Sequence, residues 1–196
     1  MGSDTTIFEG PDGPCFVDSA VLFLDLLGTA GPHGEQDALT RLRCTKNAVT
    51  EARAASPGNT DSSLWRMSWF SDNLCLHYAA APPVVDTQAL GFLVTDASYL
   101  QLGMFSHGFV ARGAIAYDGF YSDLEFIHGP ALDRAVLLEK TRARYPRIVL
   151  DESSIAIAVH GLIREEGGSL SSPWRSQLLV DDDGVVFVDY LSTLTD

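Results

Sequence analysis

Two hydrophobic periodicities alternate along this chain of 196 residues. Short apolar runs bounded by Gly, Pro, Asp or Asn predict strands, and longer segments with apolar positions three and four residues apart predict helices. Between 84 and 106 the apolar positions recur at helical steps, so we expect a long helix with one buried face. The predicted helices are 35–55, 84–106, 130–142 and 153–164, and the predicted strands are 20–27, 64–70, 74–79, 109–116, 146–150, 177–180 and 185–190.

The order of these elements is β-α-β-β-α-β-α-β, followed by an α-β-β addition. This order predicts an α+β fold with ferredoxin-like topology at its centre. The length suits one sizeable hydrophobic core. We expect residues 1–19 to form an N-terminal arm, 20–151 the main body, and 152–196 an extension that completes the same domain. Residues 117–127 are predicted to form a turn-rich excursion.

Two aspartates stand where predicted strands end. Asp25 follows the apolar run 21–24, and Asp72 lies in the predicted turn 71–73 between two strands. Burying a carboxylate is costly unless a cation or a hydrogen-bond donor meets it. Two such carboxylates on neighbouring strands would suit a divalent metal, and Mg²⁺ or Mn²⁺ favours oxygen ligands together with substrate phosphates. Each aspartate alone could instead be an ordinary turn or capping residue.

Composition narrows the possible partners and location. The formal net charge of −13 argues against an extended nucleic-acid surface. No apolar window is long enough to predict a membrane span, and no signal peptide is visible, so we expect a cytoplasmic protein. Cys15, Cys44 and Cys75 lack metal-binding spacing and are expected to be reduced thiols. No G-x-S-x-G motif or Cys/His pattern indicates a hydrolase.

The order of motifs resembles the catalytic domain of class III nucleotidyl cyclases. The resemblance covers about residues 20–151 and rests on Asp25-Leu26-Leu27-Gly28 after a strand, Asp72 in a hairpin turn, and the segment 129–135 opening a helix. Two further motifs make the chain similar to the stand-alone pyrimidine cyclases of bacterial anti-phage signalling, the Pycsar cyclases. These motifs are Arg112-Gly113-Ala114-Ile115 and Tyr145-Pro146-Arg147-Ile148-Val149.

The resemblance implies roles for particular residues. Asp25, Asp72 and the backbone carbonyl of Leu26 would bind two ions of Mn²⁺ or Mg²⁺ per site. Backbone amides at a loop entering a helix would hold the triphosphate, as helix N-termini favour anions. One metal would activate the ribose 3′-hydroxyl, and the other would stabilise the leaving pyrophosphate. The nucleotide-binding positions implied in this way are Leu26, Leu27, Gly28, Thr29 and Ser68.

Several positions depart from the usual cyclase pattern. Asp133 stands where an Asn normally positions the ribose or the nucleophile, and Leu137 stands where an adenylate cyclase has its transition-state arginine. Ser68 replaces the adenine-reading Lys, which weakens the expectation that ATP is the substrate. The remaining candidates for the positive charge on the α-phosphate are Arg134, Arg142 and Arg112, although each could be an ordinary surface arginine.

The resemblance therefore implies a uridylate cyclase that makes cyclic UMP from UTP as a second messenger in antiviral defence. It also implies a homodimer with shared active sites and a separate effector that senses the cyclic nucleotide. The alternatives are a cytidylate cyclase that makes cyclic CMP and a catalytically inactive nucleotide-binding module. Tyr117, Phe120 and Tyr121 could narrow a base pocket or could be cover for a loop, whereas His77 and His128 are expected to be structural.

Overall fold

A mixed β-sheet lies at the centre of the computed structural model, which describes residues 7–27, 35–55, 64–164 and 173–194. The helices are α1 (Glu35–Ala55), α2 (Asp86–Ser106), α3 (Pro130–Arg142) and α4 (Glu152–Arg164), with short 3₁₀ segments at Pro173–Gln177 and Tyr190–Leu194. The strands are β1 (Glu9–Gly10), β2 (Gly13–Pro14), β3 (Val17–Leu27), β4 (Trp65–Phe70), β5 (Asn73–Ala79), β6 (Val110–Ser122), β7 (Ile127–His128), β8 (Ile148–Leu150), β9 (Leu178–Val180) and β10 (Val186–Val188).

The order of strands across the main sheet is β4-β5-β3-β6-β8-β10-β9. Neighbouring strands are antiparallel except for β6 and β8, which are parallel and are connected through α3. A parallel pair needs a crossover connection of this kind. The predicted α+β fold is confirmed, and β9 and β10 extend the same sheet beyond β8.

Helices α1, α2 and α4 cover one face of this sheet with a continuous apolar core. The repeat predicted for the second helix is confirmed, since its apolar side chains are fully buried; they include Leu90, Leu93, Val94, Ala97, Leu100 and Met104. On the strands, the even-numbered residues of β3 and β5 point into the same core, as the two-residue period of a strand requires.

Helix α3 covers the other face. Gly129 precedes it with φ +143°, and a Cβ at this position would lie 2.6 Å from the carbonyl oxygen of Gly119. A glycine therefore lets the start of α3 lie close against β6. The fully buried side of α3 carries Ala131, Ala135 and Glu139, and partly buried Leu132, Val136 and Leu138 pack beside them.

The prediction of a turn-rich excursion at 117–127 is wrong for 117–122 and is confirmed only for 123–126. Strand β6 continues to Ser122 and pairs with the first residues of β3, which itself begins at Val17. Side chains of β6 continue to alternate between the two faces through this segment. Tyr117 packs on the core under α1, α2 and α4, and Phe120 is buried on the α3 face. Residues 117–120 form a strand because the first residues of β3 pair with them.

The C-terminal hairpin predicted across 181–184 is confirmed by the pairing of β9 with β10. Arg147, which is buried just before β8, forms ion pairs with Asp181 and, at 2.5 Å, with Asp183 of this hairpin. The hairpin is thereby fixed to the sheet by charge as well as by backbone hydrogen bonds. Within the described residues, no helix is both long and apolar enough to cross a membrane.

Candidate active site

A row of four side chains crosses the sheet at the end of β3. Asp25 lies opposite Asn73 of β5 on one side and opposite Arg112 of β6 on the other, and Asn73 in turn lies opposite Phe70 of β4. Directly paired residues of neighbouring strands point to the same face, and this row faces the α3 side. The register therefore brings together residues that are far apart in the sequence.

The β4–β5 turn carries the second aspartate to this row. Ser71 and Asp72 form the turn, and Ser71 adopts a left-handed backbone conformation with φ +57°. The carbonyl oxygen of Asp72 accepts a hydrogen bond of 3.0 Å from the amide of Leu26. This bond ties the turn to the residue directly after Asp25, so the two predicted metal-binding aspartates lie beside each other.

The electrostatics of the pair fit a divalent cation. Burial raises the pKa of Asp25, the Arg112 cation opposes that change, and the negative charge of Asp72 adds to it. Two neighbouring carboxylates bind a cation favourably, because the cation removes the repulsion between them. Carboxylate and carbonyl oxygens from Asp25, Asp72 and Leu26 are also the donors that Mg²⁺ and Mn²⁺ prefer. Among the described residues no group of three or more His, Cys, Asp or Glu side chains could hold a metal, so substrate phosphates would have to complete the coordination.

Arg112 is held between two carboxylates. Its Nη2 lies 3.4 Å from Oδ2 of Asp25, and its Nε lies 2.5 Å from Oε1 of Glu139. The contact with Glu139 is a close ion pair without the alignment of a full hydrogen bond. The side chain of Glu139 is only 2% exposed, and burial raises its pKa while Arg112 lowers it. Of the three predicted arginines, Arg112 is the one placed at the aspartate pair among the described residues.

Ser68 lies on the same face, one row further from the aspartates. It pairs with Cys75, which pairs with Phe23 of β3. Phe23 and Phe70 lie beside this row with their ring centroids 6.3 Å apart. Leu27, the last residue of β3, lies opposite Val110, and the predicted phosphate-binding positions Gly28 and Thr29 fall outside the described residues. The face next to the aspartates is thus partly aromatic and partly polar.

Arg134 lies elsewhere on the α3 face. It donates to Asp118 at 2.5 Å and to Asp151 and Ser153 at 3.0 Å each. Asp118 is six residues along β6 from Arg112, which corresponds to about 20 Å. The structure thus places Arg134 in a clamp between β6 and the start of α4, away from Asp25 of the same chain.

The other predicted residues of α3 are exposed. Asp133 lies in the first turn and Arg142 in the last, and Leu137 is 62% exposed between them. Arg142 uses its backbone carbonyl to accept a hydrogen bond from Arg147. Within one chain, these side chains face solvent.

Of the aromatic candidates for the base pocket, Tyr121 lines an open cavity, which it shares with Pro14, Cys15, Phe16 and His128. Phe120 is fully buried, with its ring packed against Phe8 and His77, so it cannot narrow a pocket. Tyr117 packs on the opposite face of the sheet from Asp25, and Tyr121 donates a 2.6 Å hydrogen bond to Asp123. Tyr117 and Phe120 lie on opposite faces because β6 continues through them and turns successive side chains to opposite faces.

Glu139 was missed by the sequence analysis. Its signal is visible in hindsight, because it follows Ala131 and Ala135 at four-residue steps and so lies on the buried side of α3. A carboxylate on such a face requires a cation.

Comparison with solved structures defines the class of fold. The chain is similar to the monomeric guanylyl cyclase domain of the RhoGC fusion protein from the aquatic fungus Blastocladiella emersonii, with a TM-score of 0.60 and 13% identity over 88% of this chain and 95% of that one. It is similar to the guanylyl cyclase Cya2, with a TM-score of 0.53 and 10% identity over 88% and 91% of the two chains. It is also similar to the adenylate/guanylate cyclase/hydrolase from Silicibacter pomeroyi, with a TM-score of 0.51 and 16% identity over 88% and 95%.

These similarities show that the chain has the fold of a class III cyclase catalytic domain. At such low identity they establish the fold alone. No model of a protein family matches the sequence, and no curated protein matches it either.

Proposed function

We propose that this protein is a class III nucleotidyl cyclase that converts UTP to cyclic UMP and pyrophosphate. The observation that carries the proposal is the Asp25–Asp72 pair in a cyclase fold. The two aspartates lie together where β3 ends beside the β4–β5 turn, and the Arg112 cation lies next to Asp25. The resemblance to the Pycsar cyclases supports a role as a cytoplasmic second-messenger source in anti-phage defence, with a separate effector that senses the product. Residues 20–151 would form the catalytic unit, which 152–196 complete.

In this proposal Asp25, Asp72 and the carbonyl of Leu26 hold two Mn²⁺ or Mg²⁺ ions. The bound ions would acidify the ribose 3′-hydroxyl and neutralise the leaving pyrophosphate. The 3′-oxygen forms a bond to the α-phosphorus, the bond from that phosphorus to the bridging oxygen breaks, and the hydroxyl proton passes to water. The protein groups would orient the triphosphate: the amides of residues 27–29 would bind its oxygens, and Arg112 would add positive charge near the α-phosphate. The predicted amide of Leu26 is not available for this role, because it donates to the Asp72 carbonyl.

The shared active site of a homodimer belongs to the same proposal. Asp133, Leu137 and Arg142 are exposed on α3. A head-to-tail pair of chains could bring these residues of one protomer to the aspartates of its partner. Leu124 and Phe126, in the loop after β6, are 84% and 64% exposed, and a partner chain would bury such large apolar side chains.

The preference for a pyrimidine rests on Ser68. Ser68 lies on the same face of the sheet as Asp25, one row from the aspartates. It lacks the long cationic side chain that would bind adenine. Cyclic CMP is the second expected product. An inactive nucleotide-binding module is the alternative favoured by Asp133 and Leu137, which replace groups used in catalysis.

One experiment separates these functions. The purified protein is incubated with each of the four nucleoside triphosphates and Mn²⁺, and the products are resolved by chromatography and mass spectrometry, with Asp25→Asn as the inactive control. We expect cyclic UMP as the main product. Faster turnover of ATP or GTP than of UTP and CTP would contradict the substrate assignment. Nucleotide binding without any product would support the inactive module instead.

A further inference from the structure

The arginine of the candidate site has two competing partners. Arg112 approaches Glu139 to 2.5 Å but Asp25 only to 3.4 Å. The Glu139 side chain is almost completely buried, whereas that of Asp25 is 22% exposed. A shorter contact in a less polar environment is electrostatically stronger. The guanidinium is therefore shared between α3, through the closer ion pair, and β3, through a long hydrogen bond from Nη2 to Asp25.

The sharing of Arg112 between two carboxylates matters because Arg112 and a metal ion would both contact the carboxylate of Asp25. Arg112 lies directly opposite Asp25 in the β3–β6 register, so its backbone position alone would allow a full pair with Asp25. Such a pair would place a fixed cation where a divalent ion must bind. Glu139 contacts Nε of the guanidinium, and Asp25 receives only one long hydrogen bond, from Nη2.

We propose that Glu139 is a positioning residue that holds Arg112 back from Asp25 and keeps that carboxylate available for a divalent cation. This inference rests on the metal site of the proposed function. It adds that metal affinity is set by a residue that binds no metal. A merely structural Glu139–Arg112 pair, which joins α3 to β6, would affect stability without affecting metal affinity.

The test is a double-mutant cycle read out as Mn²⁺ affinity. Free Mn²⁺ is measured by electron paramagnetic resonance during titration of the wild type, Glu139→Gln, Arg112→Ala and the double variant. Glu139→Gln should weaken Mn²⁺ binding about tenfold, which corresponds to the loss of about 1.4 kcal/mol, because Arg112 then pairs fully with Asp25. Arg112→Ala should change the affinity less than about threefold, and the double variant should return to near the wild-type value.

The matched control is Glu152→Gln, which removes an exposed carboxylate at the start of α4 and should leave Mn²⁺ affinity unchanged. Unchanged affinity in Glu139→Gln would overturn the inference while leaving the metal site intact. Equal and opposite effects of the two single variants would overturn it as well, since they would show simple charge addition without positioning. Absence of Mn²⁺ binding by the wild type would overturn both the inference and the proposed metal site.

A measurement on the wild type covers the case in which Glu139→Gln does not fold. The Nε–H signal of Arg112, assigned by its loss in Arg112→Lys, is followed by NMR with and without Mg²⁺. A guanidinium held by Glu139 should show slow solvent exchange of this proton in both states. Fast exchange in the metal-free protein, or slow exchange that is lost when Mg²⁺ binds, would overturn the inference.

Discussion

The two faces of the central sheet are built differently. The face covered by α1, α2 and α4 carries one continuous apolar core. Two of its buried polar side chains are paired: Gln101 donates to two backbone carbonyls, and Asp96 pairs with Arg53. The face covered by α3 is divided into smaller apolar clusters. Between and beside them lie Asp25, Arg112, Glu139 and His77.

The difference indicates that one face of the sheet mainly provides stability and the other holds the candidate site. Apolar burial on the first face supplies most of the stability, since it removes the larger area from water. The second face forgoes part of that stabilisation and holds charged groups close together. Substitutions should therefore separate the two faces, with activity lost from one and stability from the other.

The largest effect should come from the aspartate pair. Asp25→Asn or Asp72→Asn should reduce pyrophosphate release at least about 10³-fold, because each removes a metal ligand that contributes several kcal/mol to the transition state. The melting temperature should stay close to that of the wild type, since the change also relieves repulsion between two carboxylates. Asp182→Asn, at an exposed position of the C-terminal hairpin, is the control. Near-normal turnover by either site variant would show that this face has no metal chemistry.

The face covered by α1, α2 and α4 should respond in the opposite way. Leu93 is fully buried in α2, so Leu93→Ala should lower the free energy of unfolding by about 3 kcal/mol through lost burial and a residual cavity. Leu191→Ala, at a half-exposed position, should change it by less than about 0.5 kcal/mol. Urea denaturation measures both. A similar loss in the two variants would contradict the assignment of the main core to this face.

A variant of Arg134 shows whether its ion pairs on the α3 face stabilise the fold. Arg134→Ala should lower the free energy of unfolding by about 2 kcal/mol, because it leaves the buried carboxylate of Asp151 without its cation. Arg142→Ala, at an exposed position of the same helix, should change stability by less than about 0.5 kcal/mol. If both variants are equally stable, the clamp contributes nothing to the fold.

His77 should give the smallest effect at neutral pH, together with a characteristic pH dependence below it. Burial lowers its pKa from 6.5 to about 3, and neither ring nitrogen has a hydrogen-bond partner among the described residues. The unfolded chain therefore binds a proton between these values while the folded chain does not, so stability falls as the pH decreases below about 6.5. The slope attributable to this group should approach about 1.4 kcal/mol per pH unit.

His77→Leu should remove that contribution and make the unfolding free energy less dependent on pH between 4 and 6.5. Chemical denaturation at a series of pH values measures the change. An identical pH profile in the wild type and the variant would mean that His77 is protonated equally in the folded and unfolded states.

The sequence predicted the elements and the aspartate pair because both depend on local patterns. The helical repeat of α2 and the turn at 71–73 can be read within a few residues. The true length of β6 could not be read in this way, since Tyr117, Phe120 and Tyr121 resemble a loop until the early part of β3 is known to pair with them.

The charged partners were unpredictable for the same reason. The contacts of Arg112 with Glu139, and of Arg134 with Asp118 and Asp151, join elements whose relative positions follow from packing and not from local sequence. The sequence therefore favoured Arg134 and Arg142 over Arg112, whereas the fold places Arg112 beside Asp25 and the other two in different environments. The catalytic roles of these residues stay predictions.

The row that contains Asp25 also bears on how the protein acquires its site during folding. Asp25 and Arg112 are separated by 87 positions in the chain, and the turn that carries Asp72 comes from the intervening sequence. Contacts of such long sequence separation close large loops and form slowly compared with helices and local hairpins. A chain that has formed only its local elements therefore carries the two aspartates without the geometry that joins them. Cation binding would then favour the completed sheet over any earlier intermediate, since only the completed sheet offers the joined ligands.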